Sequence, residues 1–241
     1  MVHGWSVAVV VPAHDEQALL AGCLEAVVHA AHRVRVRADV HIVVAADACT
    51  DLTEVVAARA LADCHAAIVR LDARNVGASR AAAITAACDV LGGRSSGRMW
   101  IAMTDADSRV PVHWLERQLR AADAGYDAVA GAITVGDWED RLGDMDALLR
   151  DHRRSQRRRG TRPVHGANLG VSADALCAVG GVPEVALSED TLLVRRMTDA
   201  GMDVLWDDGL VVRTSARRSV RAPGGFSSLL DELERRGAAA S

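Results

Sequence analysis

Aromatic residues are scarce in this 241-residue chain: one Tyr, one Phe and five Trp, 3% in all. Interleaved stacking platforms for single-stranded nucleic acid are therefore missing, and a net charge of −4 removes the positive field a polyanion binder would use. No nucleic-acid partner is expected. Long apolar runs are also missing. The first run, residues 7–11, is strand length, far short of the roughly 20 residues that a membrane span needs. The stretch before it carries no charged leader. Five cysteines (Cys23, Cys49, Cys64, Cys88 and Cys177) lie far apart with no C-x-x-C, which argues for reduced thiols. A cytoplasmic protein without a transmembrane segment is expected, with peripheral contact at a membrane left open. Three motifs are missing as well: the G-x-G-x-x-G of dinucleotide folds, the G-x-x-x-x-G-K of P-loop ATPases and the G-x-S-x-G of serine hydrolases.

What is present alternates. Residues 6–11, 40–45, 66–71 and 100–104 are nearly continuous apolar runs of strand length, as in a parallel sheet covered on both faces. Residues 17–31, 52–61 and the Ala-rich stretch to about 91 have helical spacing between them. This order predicts an α/β fold: a mostly parallel central sheet, helices on both faces, right-handed crossovers. Ligands of such sheets bind beyond the carboxyl ends of the strands, where Pro12, Asp47, Arg74 and Asp105 fall. Later elements are less regular. Helices are predicted over 111–124, 140–158, 191–200 and 226–236, with Ser188 as the N-cap of the third. Strands are predicted at 126–135 (a pair or one bent strand), 164–172, 202–206 and 210–214.

The stretch from Trp100 to Asp107 runs apolar and then ends in Asp105 and Asp107, one residue apart. Strand period would point both to one side, where two carboxylates repel and are costly to desolvate. Mn²⁺ or Mg²⁺ holding a phosphate-bearing substrate would compensate; a turn with two solvated aspartates is the plainer alternative. Asp47 is either a turn residue or an acceptor for a base N–H or a ribose hydroxyl. Glu189 and Asp190 are either favourable partners of a helix start or the seat of a general base. The basic run from Arg153 to Arg159 is a solvated helix face or a phosphate clamp, and Arg213, Arg217 and Arg218 have the same two readings. His165 is a loop residue or a substrate contact.

Together, and in this order, these pieces resemble the family-2 glycosyltransferases of the GT-A fold. The matching stretches are Val9-Val-Val-Pro-Ala-His-Asp-Glu16, Ala46-Asp-Ala-Cys-Thr-Asp51, Arg74-Asn-Val-Gly-Ala-Ser-Arg80 and Thr104-Asp-Ala-Asp-Ser108. Gly166-Ala-Asn-Leu-Gly170, Ala178-Val-Gly-Gly181 and Ser188-Glu-Asp190 follow. The resemblance implies a single domain over 1–241. A Rossmann-like nucleotide-sugar half (about 1–108) would be fused to an acceptor-binding half carrying the catalytic base (about 109–241). It implies that Pro12, Ala13, Glu16, Asp47, Arg80, Asp105 and Ala106 hold a nucleotide diphosphate sugar. Asp47 would read the base, and Arg80 would lie near the ribose or diphosphate. Asp107 would be the direct ligand of Mn²⁺ or Mg²⁺, with Asp105 beside it. Asp190 would be the base of an inverting transfer, and Glu189 would orient it or touch the acceptor. Trp138, His165, Asn168, Arg213, Arg217 and Arg218 are further candidates for diphosphate or acceptor contacts. A UDP-sugar is favoured over a GDP- or dTDP-sugar. The acceptor would be small or lipid-linked, because the Q-x-x-R-W motif of processive synthases is absent. A homodimer remains possible. The alternatives are a sugar-phosphate nucleotidyltransferase and a non-catalytic nucleotide-sugar-binding protein.

Overall fold

The structure, a computed structural model, describes residues 4–91, 98–136, 144–158, 160, 162–217 and 226–240, with the side chains at 153, 157 and 238–240 outside that description. The first half alternates as the sequence predicts: β1 (Trp5–Ala13), α1 (Leu20–Val34), β2 (Ala38–Asp47), α2 (Thr53–Ala60), β3 (Ala66–Leu71), α3 (Val76–Leu91) and β4 (Met99–Met103). The second half is mixed: β5 (Ser108–Arg109), α4 (Trp114–Asp123), β6 (Ala128–Gly136), α5 (Met145–Arg158) and β7 (Leu169–Ser172). It closes with α6 (Ala173–Ala178), α7 (Glu189–Asp199), β8 (Val204–Ser215) and α8 (Phe226–Ala240).

The strands form one eight-stranded sheet in the order β3-β2-β1-β4-β7-β6-β8-β5. The β1–β2, β2–β3 and β1–β4 pairs are parallel. Beyond β4 the sheet becomes mixed, because β7 runs antiparallel to both β4 and β6. The pleat divides each central strand between two cores. Val7, Val9, Val11, Ile42, Val44, Trp100 and Ala102 enter one, with Leu20, Leu24 and Val27 of α1 and Leu115 and Leu119 of α4. Ala8, Val10, Val43, Ala45, Ile101 and Met103 enter the other, with Ala83 and Ala87 of α3 and Leu193 and Met197 of α7. Burial on both faces explains why these strands are apolar without alternation. Each fully buried Val or Ile contributes about 1.5–3 kcal/mol of transfer free energy. A third cluster, Met145, Leu149, Leu230 and Leu233, joins α5 to α8.

The late strands differ from the sequence expectation. The two strands expected at 202–206 and 210–214 are one, β8, which begins at Val204 and whose pairing with β6 shifts register between Gly131 and Ala132. Gly131 pairs with Asp207 and Ala132 with Val211, so Asp208, Gly209 and Leu210 bulge out of the ladder. Asn168 fills the bulge, its amide donating to the carbonyls of Ala132 and Leu210 at 2.7 Å each. A Cβ on Gly131 would overlap that amide.

Candidate active site

A cavity of about 890 Å³ lies at the carboxyl ends of β1, β2 and β4, faced by the start of α7. Pro12, Ala13, Glu16, Asp47, Arg80, Asp105, Ala106 and Asp107 line it together with Arg217, as do His165, Gly166, Glu189 and Asp190. Of the described non-glycine residues, only Asp15, Ala48, Arg74 and Ser188 have left-handed backbones. All four lie on or next to this cavity. Each left-handed residue costs about 1–2 kcal/mol, a form of strain that concentrates where side chains are held for chemistry.

Asp47, at the end of β2, is engaged by the chain itself. Its Oδ1 accepts the N–H groups of Ala73 and Arg74 at 2.7 and 2.8 Å; its Oδ2 accepts Asn75 N–H at 2.9 Å and the Ser79 hydroxyl at 2.8 Å. An ionised carboxylate offers about four acceptor positions, and these are filled. Burial pushes its pKa up, but the N–H groups of Asn75 and Arg74 and the Ser79 hydroxyl outweigh it, so the carboxyl lies below its ordinary value. These bonds make Asp47, expected at the base, the builder of the loop from β3 into α3 at the edge of the cavity. His14 emerges beside it. Its Nδ1 lies 2.6 Å from the Asp47 carbonyl, which can only accept, so Nδ1 carries a proton and, in the neutral ring, Nε2 is the acceptor on a ring lining the cavity. The motif reading passed over His14; its place two residues after Pro12 at a strand exit was the available signal.

Arg80, also expected at the donor, lines the cavity. It is 2% exposed, and its guanidinium is occupied within the protein. Nη2 donates to Asp105 Oδ1 at 2.5 Å, Nε to Glu189 Oε1 at 3.0 Å and Nη1 to the Gly166 carbonyl at 3.2 Å. It ties the exit of β4 to the start of α7. A Cβ on Gly166 would overlap this guanidinium. Burial pushes the Glu189 carboxyl up and Arg80 pulls it back, leaving it above its ordinary value. Glu189 is 5% exposed and held in that pair, which fits an orienting part better than proton transfer.

Asp105 and Asp107 lie past the end of β4, and Ser108 N–H donates back to the Asp105 carbonyl at 3.0 Å. Strand period therefore does not govern their directions, and they take different partners. Asp107 Oδ1 accepts the hydroxyls of Ser108 and Thr214, each at 3.3 Å, while Oδ2 lies 3.6 Å from Arg217 Nη2. The same Arg217 nitrogen donates to Glu16. Burial, then the charge of Asp105, and behind the opposing pull of Arg217 that of Glu16, push the Asp107 carboxyl up to about 6. Like charges crowded around one guanidinium suit an added cation. Among the described residues no three His, Cys, Asp or Glu side chains form a complete metal cage. The set fits instead a Mn²⁺ or Mg²⁺ ion that takes one or two carboxylates and completes its shell with phosphate and water.

Asp190 faces the cavity from the first turn of α7. Its Oδ2 accepts Gly166 N–H at 2.6 Å and its Oδ1 accepts Thr191 N–H at 2.5 Å. The expected Ser188 cap does not form: Ser188 is left-handed (φ 59°) and its side chain makes no capping bond. Two other expected contacts are corrected. Asn168 is 1% exposed, accepts Trp114 Nε1–H at 3.0 Å and fills the bulge, so it is a rivet within the fold. Arg213 is exposed, lies across Gly136 and lines neither this cavity nor the one beside it. His165 lines the cavity and stands edge-on to Phe226 at 6.0 Å. Among the described side chains of the basic run, Arg154 is exposed beside Asp151 and Gln156 borders the cavity. Trp138 and Arg218 lie outside the described residues. No helix among the described residues is long and apolar enough to cross a membrane.

This fold recurs among solved structures. Mannosyltransferase PcManGT from Pyrobaculum calidifontis, in complex with GDP-Man and Mn²⁺, aligns with a TM-score of 0.64 at 19% identity, over 89% of this chain and 58% of its own. TarS 1-349 from S. aureus, in complex with UDP-GlcNAc, gives 0.66 at 13% identity, over 97% and 66%. Glucosyl-3-phosphoglycerate synthase from Mycobacterium tuberculosis, in complex with Mn²⁺ and UDP-Glc, gives 0.60 at 19%, over 97% and 79%. The chain thus spans about three-fifths of the mannosyltransferase's length, and at these identities the likeness is one of fold, GT-A. No curated protein sequence matches significantly. The profile described as Glycosyl transferase family 2 matches residues 8–176, which is most of the chain, and takes in both the strand-exit carboxylates and the turn that bonds Asp190. The chain belongs to glycosyl transferase family 2.

Proposed function

We propose that the protein transfers a sugar from a nucleotide diphosphate sugar, with a uridine nucleotide favoured, to an acceptor hydroxyl with inversion at the anomeric carbon. The observation that carries this reading is the Asp190 carboxylate, held by two backbone N–H groups at 2.6 and 2.5 Å and facing the same cavity as Asp107. Asp190 takes the proton of the acceptor hydroxyl as that oxygen bonds to the anomeric carbon. The bond from that carbon to the diphosphate oxygen breaks on the opposite face, and the diphosphate leaves with the electron pair. Asp107, with Asp105 beside it, would hold Mn²⁺ or Mg²⁺, which supplies charge stabilisation for the departing diphosphate. Arg217 adds a guanidinium on the same side. Pro12, Ala13, His14 and Ala106 form the nucleoside end of the cavity, with His14 Nε2 accepting a base N–H. Glu189 and Arg80 orient the turn that carries Gly166 and Asp190. GDP-Man, UDP-GlcNAc and UDP-Glc in structures of the same fold support the donor class. The wide spacing of the five cysteines, without a C-x-x-C, fits a reducing, cytoplasmic setting.

Asp190→Asn tests the assignment. Nucleotide binding is expected to persist while transfer falls by about 10²–10⁴-fold, the usual worth of a general base. Full transfer by this variant would reject Asp190 as the base.

A further inference from the structure

A second cavity, of about 780 Å³, adjoins the first and shares Ile133, Arg162, Pro163 and His165 with it. The β6–β8 bulge creates it. β6 offers Ala130, Gly131 and Ala132 in succession, leaving space above the sheet, and β8 places Trp206 and Asp208 around that space. Trp206 is half-buried, and the Arg162 guanidinium stands 5.6 Å from its ring centroid. Asp208 is exposed. The wall between the cavities is short: His165 lines both, and the next residue, Gly166, donates its N–H to Asp190.

We propose that this second cavity is the acceptor subsite and that it takes a neutral sugar ring lying against the Trp206 indole. The proposal rests on the glycosyltransferase reading above. A pyranose has a C–H face that an indole covers well and a rim of hydroxyls that need both donors and acceptors. Asp208 supplies acceptors and Arg162 supplies donors, and their charges cancel. Asp208 opposes a phosphate or carboxylate acceptor. The volume suits a ligand of one or two rings within the usual pocket range of about 300–1,000 Å³. A ring seated there has the His165–Gly166 edge between it and the donor cavity, so a hydroxyl reaching past His165 meets Asp190.

The experiment titrates uncharged methyl glycosides of common hexoses into the full chain preloaded with UDP and Mn²⁺, followed by tryptophan fluorescence and calorimetry. At least one glycoside should bind saturably. Trp206→Ala should raise its half-saturation about tenfold or more, as loss of an aromatic anchor does, with Trp206→Phe recovering most of the affinity. Asp208→Asn, at an exposed position, should weaken binding about threefold or more, as a lost hydrogen bond to a charged group does. UDP binding by each variant checks that the donor half is folded. The proposal is overturned if no glycoside binds the UDP-loaded protein, if Trp206→Ala leaves the affinity unchanged, or if glycerol 3-phosphate binds better than every glycoside. If glycosides bind through Trp206 and UDP does not bind, the donor reading fails while the cavity assignment stands.

Discussion

Asp47 leaves β2 and Asp107 follows β4, strands one place apart on either side of β1, yet their surroundings have opposite consequences. Three backbone N–H groups and a hydroxyl converge on Asp47 and hold its carboxyl low. Around Asp107 the neighbours are Asp105, Glu16 and Arg217, and its carboxyl is held high, at about 6. A carboxylate saturated by the backbone is architecture: it shapes a loop and has no lone pair left for a ligand. One that is buried among like charges is incomplete and gains from a cation. At a strand exit the surrounding donors, more than the residue type, decide between scaffold and site.

The largest expected effect separates the two directly. Asp47→Asn would turn an amide donor towards one or two of these backbone N–H groups and leave them unbonded, at a cost of about 2–4 kcal/mol. A urea melt at pH 7 measures this as a fall in midpoint at unchanged slope. No loss of stability would show that the four hydrogen bonds contribute nothing, and the contrast with Asp107 would collapse.

The pH dependence comes next, and its sign differs between the sites. Asp107 is raised when folded, so its contribution is fully present below about pH 4 and is lost as pH rises through about 6. Without metal, wild type should lose about 2–3 kcal/mol relative to Asp107→Asn between those limits. Asp47 is depressed when folded, so its contribution is present above about pH 4 and lost as pH falls through its folded value. Parallel stability profiles of wild type and Asp107→Asn from pH 4 to 7 would contradict the crowded-carboxylate account.

The smallest effect lies across the cleft. Ser188 holds a left-handed conformation that glycine adopts freely. Ser188→Gly should therefore stabilise the protein by up to about 1 kcal/mol, read as a modest rise in thermal midpoint. A drop would mean that the serine side chain holds the approach to Asp190 in place.

The parallel half was readable in the sequence because strands buried on both faces cannot hide their composition: β3 occupies the 66–71 expected of it, and β1 and β2 extend their runs by only one or two residues at each end. The carboxylates at the strand exits were readable as positions but not as environments. Nothing local to Asp47 announces that the N–H groups of Ala73, Arg74 and Asn75 will converge on it, since they lie 26 to 28 residues away. Ser188 looked like a cap because capping rules weigh residue type, whereas its backbone had already turned left-handed. Asn168 looked available because its burial depends on Trp114 and on a bulge between two distant strands. The Asp207-Asp208-Gly209 stretch read as a break between two strands, while in the fold it is a bulge within β8, and the second cavity depends on it.

The most direct test of the central claim, a nucleotide diphosphate held through a cation at Asp107, is a calorimetric titration. Wild type and Asp107→Asn are titrated with UDP and GDP, in Mn²⁺ and in EDTA. The account predicts that wild type binds at least one of them about tenfold or more tightly in Mn²⁺ and that Asp107→Asn loses most of this gain. Equal wild-type affinities in Mn²⁺ and EDTA, or an undiminished gain in the variant, would contradict it.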